Sequence, residues 1–220
     1  MNVVYNCDCM EFMAKCKDNE FELAIVDPPY GIKDWNSRGI NKKCFAGNES
    51  IKLKEWDIKP NKEYFNELFR ISKNQIIWGA NHFIEFLYNT KSTIIWDKNN
   101  VGMHFNNYEL AWTNNINEAN RIFRMSIAEI IEDKIHSCQK PVALYRWLLQ
   151  NYAKPNDKIF DSHVGSGSSR IACYELGFNF TGCELDVDYW QAQEERFKLE
   201  KAKINGEFYL PEENNLFKGV

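Results

Sequence analysis

Lys158-Ile159-Phe160-Asp161-Ser162-His163-Val164-Gly165-Ser166-Gly167-Ser168-Ser169 is the stretch that decides the fold. A short apolar run reads as a strand (Lys158 to Asp161) entering a glycine-rich turn. The turn opens a helix from Ser168 to Leu176, ended by Gly177. Glycines allow a tight turn and let a ligand approach the backbone N–H groups at a helix N-terminus. Those groups favour an anionic ligand end, a phosphate or a carboxylate. Seventeen residues beyond Gly167, Glu184 closes a further strand, Asn179-Phe180-Thr181-Gly182-Cys183-Glu184. An acid there is placed to accept hydrogen bonds from both ribose hydroxyls of a nucleoside. The full G-x-G-x-x-G fingerprint is absent, because Arg170 stands at the third glycine. A nucleoside ligand other than NAD is therefore expected. A G-x-G alone is equally explained by a structural turn; the strand before it and the acid after it favour the ligand.

Working outward, Phe21-Glu22-Leu23-Ala24-Ile25-Val26 is a buried strand stopped by Asp27-Pro28-Pro29-Tyr30. Pro-Pro alone would serve as a strand-ending turn, and needs neither Asp before it nor Tyr after it. An acid at the carboxyl end of a parallel strand sits where open α/β sheets bind ligands. The prolines hold a carbonyl and a carboxylate at fixed angles, and Tyr30 offers a flat face for a planar base. Between them the pattern predicts a long loop from Gly31 to about Pro60 and a helix over 62–73. Strands follow at 75–78, 93–96 and 109–113, with a short helix over 82–88. Residues 114–137 read as an irregular insertion. Pro141 opens a helix to Tyr152, and Asp186 caps a last helix to about Lys203. Alternating strands and helices predict one α/β domain across 1–220: a mostly parallel twisted sheet with helices on both faces.

Composition agrees with an ordinary globular chain: 220 residues, 44% hydrophobic and 26% charged. No run approaches the ~18 apolar residues of a membrane helix, and Met1 to Asp8 has no signal-peptide character. A cytoplasmic protein without a membrane partner is expected. The seven cysteines are odd in number and form no C-x-x-C pair, so free thiols are expected and no metal site. Net charge is −4, but unevenly spread. Residues 32–62 carry eight bases against four acids, and 184–213 carry nine acids against four bases. One end suits an anionic polymer and the other repels it; two solvated faces would show the same pattern.

Asp27-Pro28-Pro29-Tyr30 together with the Asp-x-(aromatic)-x-Gly-Ser-Gly type of turn resembles the S-adenosylmethionine-dependent amino-methyltransferases of DNA. The tetrapeptide precedes the glycine turn, which is similar to the circularly permuted β-class order of the Rossmann-like methyltransferase fold. Asn6 to Glu11, Trp78-Gly79-Ala80-Asn81-His82-Phe83, Trp96-Asp97-Lys98 and His136-Ser137-Cys138-Gln139-Lys140-Pro141 resemble further segments of that family in the same order. The likeness runs from about Val3 to Phe197. The chain departs from the family in three places. His163 stands where Phe is usual, Ser137-Cys138 replaces Pro-Thr, and the 24 residues from Asn114 to Ser137 make a short recognition insertion.

The resemblance implies methyl transfer to the exocyclic N6 amine of adenine in double-stranded DNA, on an extruded base. Asp27, Pro28, Pro29 and Tyr30 would be catalytic. S-adenosylmethionine would be held by Asp8, Cys9, Lys140, Asp161, His163, Gly165, Ser166, Gly167, Ser168, Glu184 and Leu185. For Lys140, a surface lysine before a helix is the alternative. Arg38, Lys42 and Lys43 of the basic loop are candidate phosphate contacts. A homodimer and a cognate restriction endonuclease are candidate partners. The chemistry needs no metal and no covalent intermediate. Cytosine-N4 methylation and a catalytically silent DNA-binding member of the fold are the alternatives. RNA or protein amide methylation and a nicotinamide oxidoreductase fit the motifs poorly.

Overall fold

A computed structural model describes residues 1–31, 58–100, 107–115, 120–126, 135 and 139–207. The chain begins with strand β1 (Asn2–Asn6) and a one-turn helix α1 (Cys9–Met13), then β2 (Phe21–Val26), α2 (Lys62–Ile71) and β3 (Ser72–Trp78). Next come β4 (Ser92–Asp97), β5 (Tyr108–Thr113) and β6 (Arg121–Arg124). The last part holds α3 (Val142–Tyr152), β7 (Lys158–Asp161), α4 (Ser168–Glu175), β8 (Asn179–Glu184) and α5 (Val187–Ile204). The described strands form one sheet in the order β1-β8-β7-β2-β3-β5-β4-β6. The pairs β1·β8, β8·β7, β7·β2, β2·β3 and β4·β6 are parallel, whereas β5 is antiparallel to both neighbours.

Period-2 alternation divides the side chains between two cores. Leu23 and Ile25 of β2 and Ile76 and Trp78 of β3 join a cluster with Leu144 and Leu148 of α3, Ile171 of α4 and Phe197 of α5. Val26 and Ile77 point the other way, to Met13 of α1 and Phe65 and Leu68 of α2. The mostly parallel α/β sheet with helices on both faces is thus what the sequence leads one to expect. The permuted order shows as well: β7, late in the chain, lies between β8 and β2.

Caps fix the helices where expected. Asn61 accepts from Tyr64 N to start α2, and Asp186 accepts from Asp188 N and Tyr189 N to start α5. Two readings are corrected, and one unit had no reading. The predicted helix over 82–88 is two single 3-10 turns, Ala80–His82 and Ile84–Phe86. Only Phe83 of that stretch is fully buried while Ile84 is exposed, so no apolar stripe sustains an α-helix. The irregular insertion contains β6, a four-residue edge strand alternating Arg-Ile-Phe-Arg against β4. The N-terminal β1–α1 unit was not foreseen, because five-residue elements carry little periodicity.

Gly182 of β8 shows how close the layers lie. A Cβ there would fall 2.4 Å from Val164 Cγ2 and 3.1 Å from the Phe180 ring. Val164 is pinned over the strand by its N–H on Cys183 O at 3.1 Å, which aims the following turn. Replacing Gly182 by Ala should therefore cost about 1–3 kcal/mol by overpacking. Urea unfolding measures it, and an unchanged midpoint would show that Val164 moves freely.

Candidate active site

The five strands β1, β8, β7, β2 and β3 run parallel, so their carboxyl ends open on one edge of the sheet. α4, after β7, packs on one face, and α2, the next described helix after β2, packs on the other. β7 and β2 are hydrogen-bonded neighbours. Their continuations part to opposite faces, and such a switch point is where open parallel sheets receive ligands. Asp161 ends β7 and Asp27 follows β2, so the two acids flank this point.

Asp161 is 2% exposed. Its Oδ1 accepts from His163 N at 3.0 Å and its Oδ2 from Ser169 Oγ at 2.6 Å. Burial pushes its carboxyl up to about 7; the two hydrogen bonds oppose this, and the nearby Asp27 and Glu184 charges add to it. Glu184 Oε2 accepts from Gly165 N at 2.8 Å and Oε1 from Asp186 N at 2.9 Å, which ties the glycine turn to the end of β8. Burial raises this carboxyl too. Asp8 caps α1 with Oδ1, at 2.6 Å from Met10 N, and its Oδ2 has no partner among the described residues. Cys9, beside it, is half-buried, and burial lifts its thiol to about 12. Leu185 is 60% exposed just past Glu184. Ser166 and Ser168 face inward: their hydroxyls lie 3.2 Å apart, and Arg196 of α5 donates to Ser166 O at 2.7 Å and to Ser168 Oγ at 2.9 Å. Gly165 and Gly167 both lie in the left-handed region, and Gly167 precedes α4 directly.

On the other side, Tyr30 Oη donates to Asp27 Oδ1 at 2.7 Å, and the Lys140 ammonium bonds Oδ2. Burial pushes the Tyr30 phenol well above its ordinary value, reinforced by the Asp27 charge. The His82 ring stacks on Tyr30, 4.6 Å between centroids and 13° between planes. Gly79 makes that placement possible: its φ is +70°, and a Cβ there would lie 2.2 Å from the Tyr30 ring. Lys140 is 4% exposed, so it is no surface lysine, and it also lies 3.1 Å from Glu109 Oε2 and 5.4 Å from the Trp78 ring centroid. Burial alone would lower its pKa, but Asp27 and Glu109 hold it well above the ordinary lysine value. Burial would raise Glu109, yet Lys140 and Lys98 bring it down to about 2.

For His163, the charges of Asp27 and Asp8 both favour the protonated ring, but burial outweighs them. Its Nδ1 is 2.8 Å from Ser162 Oγ, which is 2.6 Å from Tyr64 Oη. Tyr64 is buried and has no other hydrogen-bond partner for its hydroxyl proton among the described residues, so we assign it as the donor to Ser162. Ser162 in turn donates to Nδ1, which leaves the imidazole proton on Nε2.

The sequence-predicted Asp8, Asp27, Tyr30, Lys140, Asp161, His163, Gly165 and Glu184 are thus brought to one edge. Arg38, Lys42 and Lys43, and most of the basic loop, lie outside the described residues. Sequence reasoning missed Tyr64, Ser162, Ser169, Glu109, Lys98, His82 and Arg196. Glu109 did carry a signal, as an acid in the otherwise apolar strand Glu109-Leu110-Ala111-Trp112. Arg196, within a charged helix, carried none.

The family described as DNA methylase, of the N6 and N4 class, matches this chain over residues 107–195. The type II methyltransferase M2.DpnII of Streptococcus pneumoniae is 23% identical, covering 90% of each chain. Among solved structures, the complex of M1.HpyAVI with S-adenosylmethionine superposes with a TM-score of 0.61 at 20% identity, over 89% of this chain and 98% of the other. The PvuII DNA methyltransferase, cytosine-N4-specific, superposes with a TM-score of 0.58 at 12% identity, over 94% of each. The resemblance to the DNA amino-methyltransferases read from the sequence is borne out.

Burial disfavours the imidazolium and pushes His163 down to about 4. Nitrogen NMR about a unit below the ordinary histidine value of ~6.5 should show a neutral ring protonated on Nε2. An imidazolium there would contradict the Tyr64–Ser162–His163 chain.

Proposed function

From the likeness to the DNA amino-methyltransferases, we propose that this chain transfers a methyl group from S-adenosylmethionine to the N6 amine of adenine in double-stranded DNA. The observation that carries this reading is the pairing of Asp27-Pro28-Pro29-Tyr30 with Asp161 across the switch point between β2 and β7.

The residues present fit the cofactor's chemistry. Asp161 is a buried acid whose carboxyl sits near 7, which suits the ammonium of the methionine end. Glu184 is held by backbone N–H groups of Gly165 and Asp186, and its remaining lone pairs suit the ribose hydroxyls. Asp8 Oδ2 is open to the adenine amine. The N–H groups of the glycine turn suit the carboxylate. Ser168 supports that turn from behind, its hydroxyl being held by Arg196. When bound, the sulfonium supplies an electrophilic methyl group.

The adenine amine is a poor nucleophile, because its lone pair is delocalised into the ring. Asp27 and the Pro28 carbonyl each accept one N–H, which draws the nitrogen toward tetrahedral geometry and localises the lone pair. The amine proton becomes far more acidic once the methyl is transferred, so Asp27 acts by placement more than by basicity. An amine inside a duplex is out of reach, so the base is extruded at a cost of a few kcal/mol. Stacking on Tyr30 returns ~1–3 kcal/mol of it. Arg38, Lys42 and Lys43, with the segment 114–137, would meet DNA phosphates, which position the protein without specifying sequence.

An Asp in the first position of the tetrapeptide favours adenine by the resemblance stated above. Cytosine N4 is the second reading, supported by the likeness to a cytosine-N4-specific enzyme. Transfer of labelled methyl to unmethylated DNA, followed by nucleoside mass spectrometry, tests both. N6-methyladenine is expected, with a loss of at least about 10²-fold in Asp27→Ala while cofactor binding persists. N4-methylcytosine would overturn the base assignment, and no product with the cofactor bound would favour a silent DNA-binding protein.

The Asp161 carboxyl gives a pH signature. A bound ammonium favours the carboxylate, so binding releases a proton where the empty site holds one. Affinity for S-adenosylhomocysteine should fall about tenfold per unit as pH drops below about 7. Asp161→Asn should remove that slope. Calorimetry across the range measures both, and a flat wild-type profile would place the amino group elsewhere.

A further inference from the structure

Four charges alternate in a row beside the tetrapeptide, Lys140 buried and Asp27, Glu109 and Lys98 partly exposed. They come from three separate parts of the chain. Asp27 follows β2, Lys140 precedes α3, and Glu109 on β5 lies opposite Trp96 of β4, two residues before Lys98. Each Asp27 oxygen already accepts one hydrogen bond, Oδ1 from Tyr30 Oη and Oδ2 from the Lys140 ammonium. A substrate amine would have to share an oxygen with one of these donors, and beside the ammonium it would meet a like-oriented positive donor. Glu109 is differently placed. Its Oε1 is paired to Lys98 at 2.5 Å, while its Oε2 is buried, 3.1 Å from the Lys140 ammonium, and makes no aligned hydrogen bond. Lys140 therefore has a second carboxylate within reach, and a small rotation of its ammonium would exchange one acid for the other.

We propose that Glu109 is a positioning residue for the transfer: it draws the Lys140 ammonium off Asp27 as the target amine arrives, so that Asp27 Oδ2 accepts the amine N–H. This rests on the methyltransferase reading given above. Lys98 keeps Glu109 fixed and charged in both arrangements, and the Trp78 ring gives the ammonium a second favourable surface during the exchange. No proton is moved between the four groups. Lys140 stays an ammonium, and its net pairing with one carboxylate is kept throughout. The cofactor side is untouched, because Asp161, Glu184 and Asp8 make none of these contacts.

The role predicts a particular pattern of kinetics. Glu109→Gln keeps the shape of the side chain but leaves Lys140 with Asp27 as its sole anionic partner. Its kcat should fall about 10²-fold, while KM for DNA and affinity for S-adenosylhomocysteine stay within about threefold. Adding Lys140→Met in the same chain removes the clamp and should restore at least about tenfold of that loss. Glu109→Asp, which keeps the charge, should remain within about tenfold of wild type. Thermal unfolding and cofactor binding of each variant establish that it is folded. A Glu109→Gln enzyme as fast as wild type would overturn the role. So would a folded double variant no faster than Glu109→Gln, because a purely structural Glu109 gives no recovery on removing Lys140. A wild-type protein inactive on every DNA would instead count against the methyltransferase reading, and the role would fall with it.

Discussion

The parallel pairing of β2 with β7 is the constraint on which the site depends. Leu23 and Ala24 lie beside Ile159 and Phe160, although more than 130 residues separate them in the chain. That register sets Asp161, the end of β7, beside Ile25, so Asp27 lies two residues further along the same direction. Neither acid alone indicates a reaction. Together, in the function proposed above, one would meet an ammonium and the other an amine. Both strands bury side chains in the clusters on both faces of the sheet, and this packing holds the register.

Charge is buried at this edge at a cost, and the fold meets it differently on the two sides. Around Asp27 the charges are neutralised in place: Lys140 lies between Asp27 and Glu109, and Lys98 completes the row. Lys140 is buried while the other three are partly exposed, so removing one acid leaves the ammonium underpaired at a cost below the about 3–5 kcal/mol of a fully buried pair. Around Asp161 the charge is avoided instead. Its partners are a hydroxyl and a backbone N–H, with no cation among them, so protonation near neutrality relieves the burial. A site with one neutralised acid and one acid lacking a cation is suited to bring a positively charged ligand next to an uncharged amine.

Most of the sheet was legible because strand and helix signals were long and bounded by strong punctuation. Asp27-Pro28-Pro29 stopped β2, Gly177 stopped α4, and Asp186 started α5. The stretches that misled were short. β1, α1 and β6 hold four or five residues each, too few for a period to show. In the site, the acids and the glycine turn were visible because their spacing reflects single loops. The partners of those acids were not. Lys140 was noted without its contacts, and Glu109, Lys98, Tyr64 and His82 reach the site only through strand register and helix packing. His163 could be singled out from the sequence. That it is neutral, with its proton on Nε2, depends on a buried tyrosine about a hundred residues earlier in the chain.

The most direct test of the central claim is a crystal structure of the protein with S-adenosylhomocysteine. The account predicts the amino group on Asp161, the ribose hydroxyls on Glu184, the adenine amine near Asp8, and the sulfur directed toward Asp27. A ligand bound away from the β7–β2 switch point, or turned so that its sulfur faces away from Asp27, would contradict it.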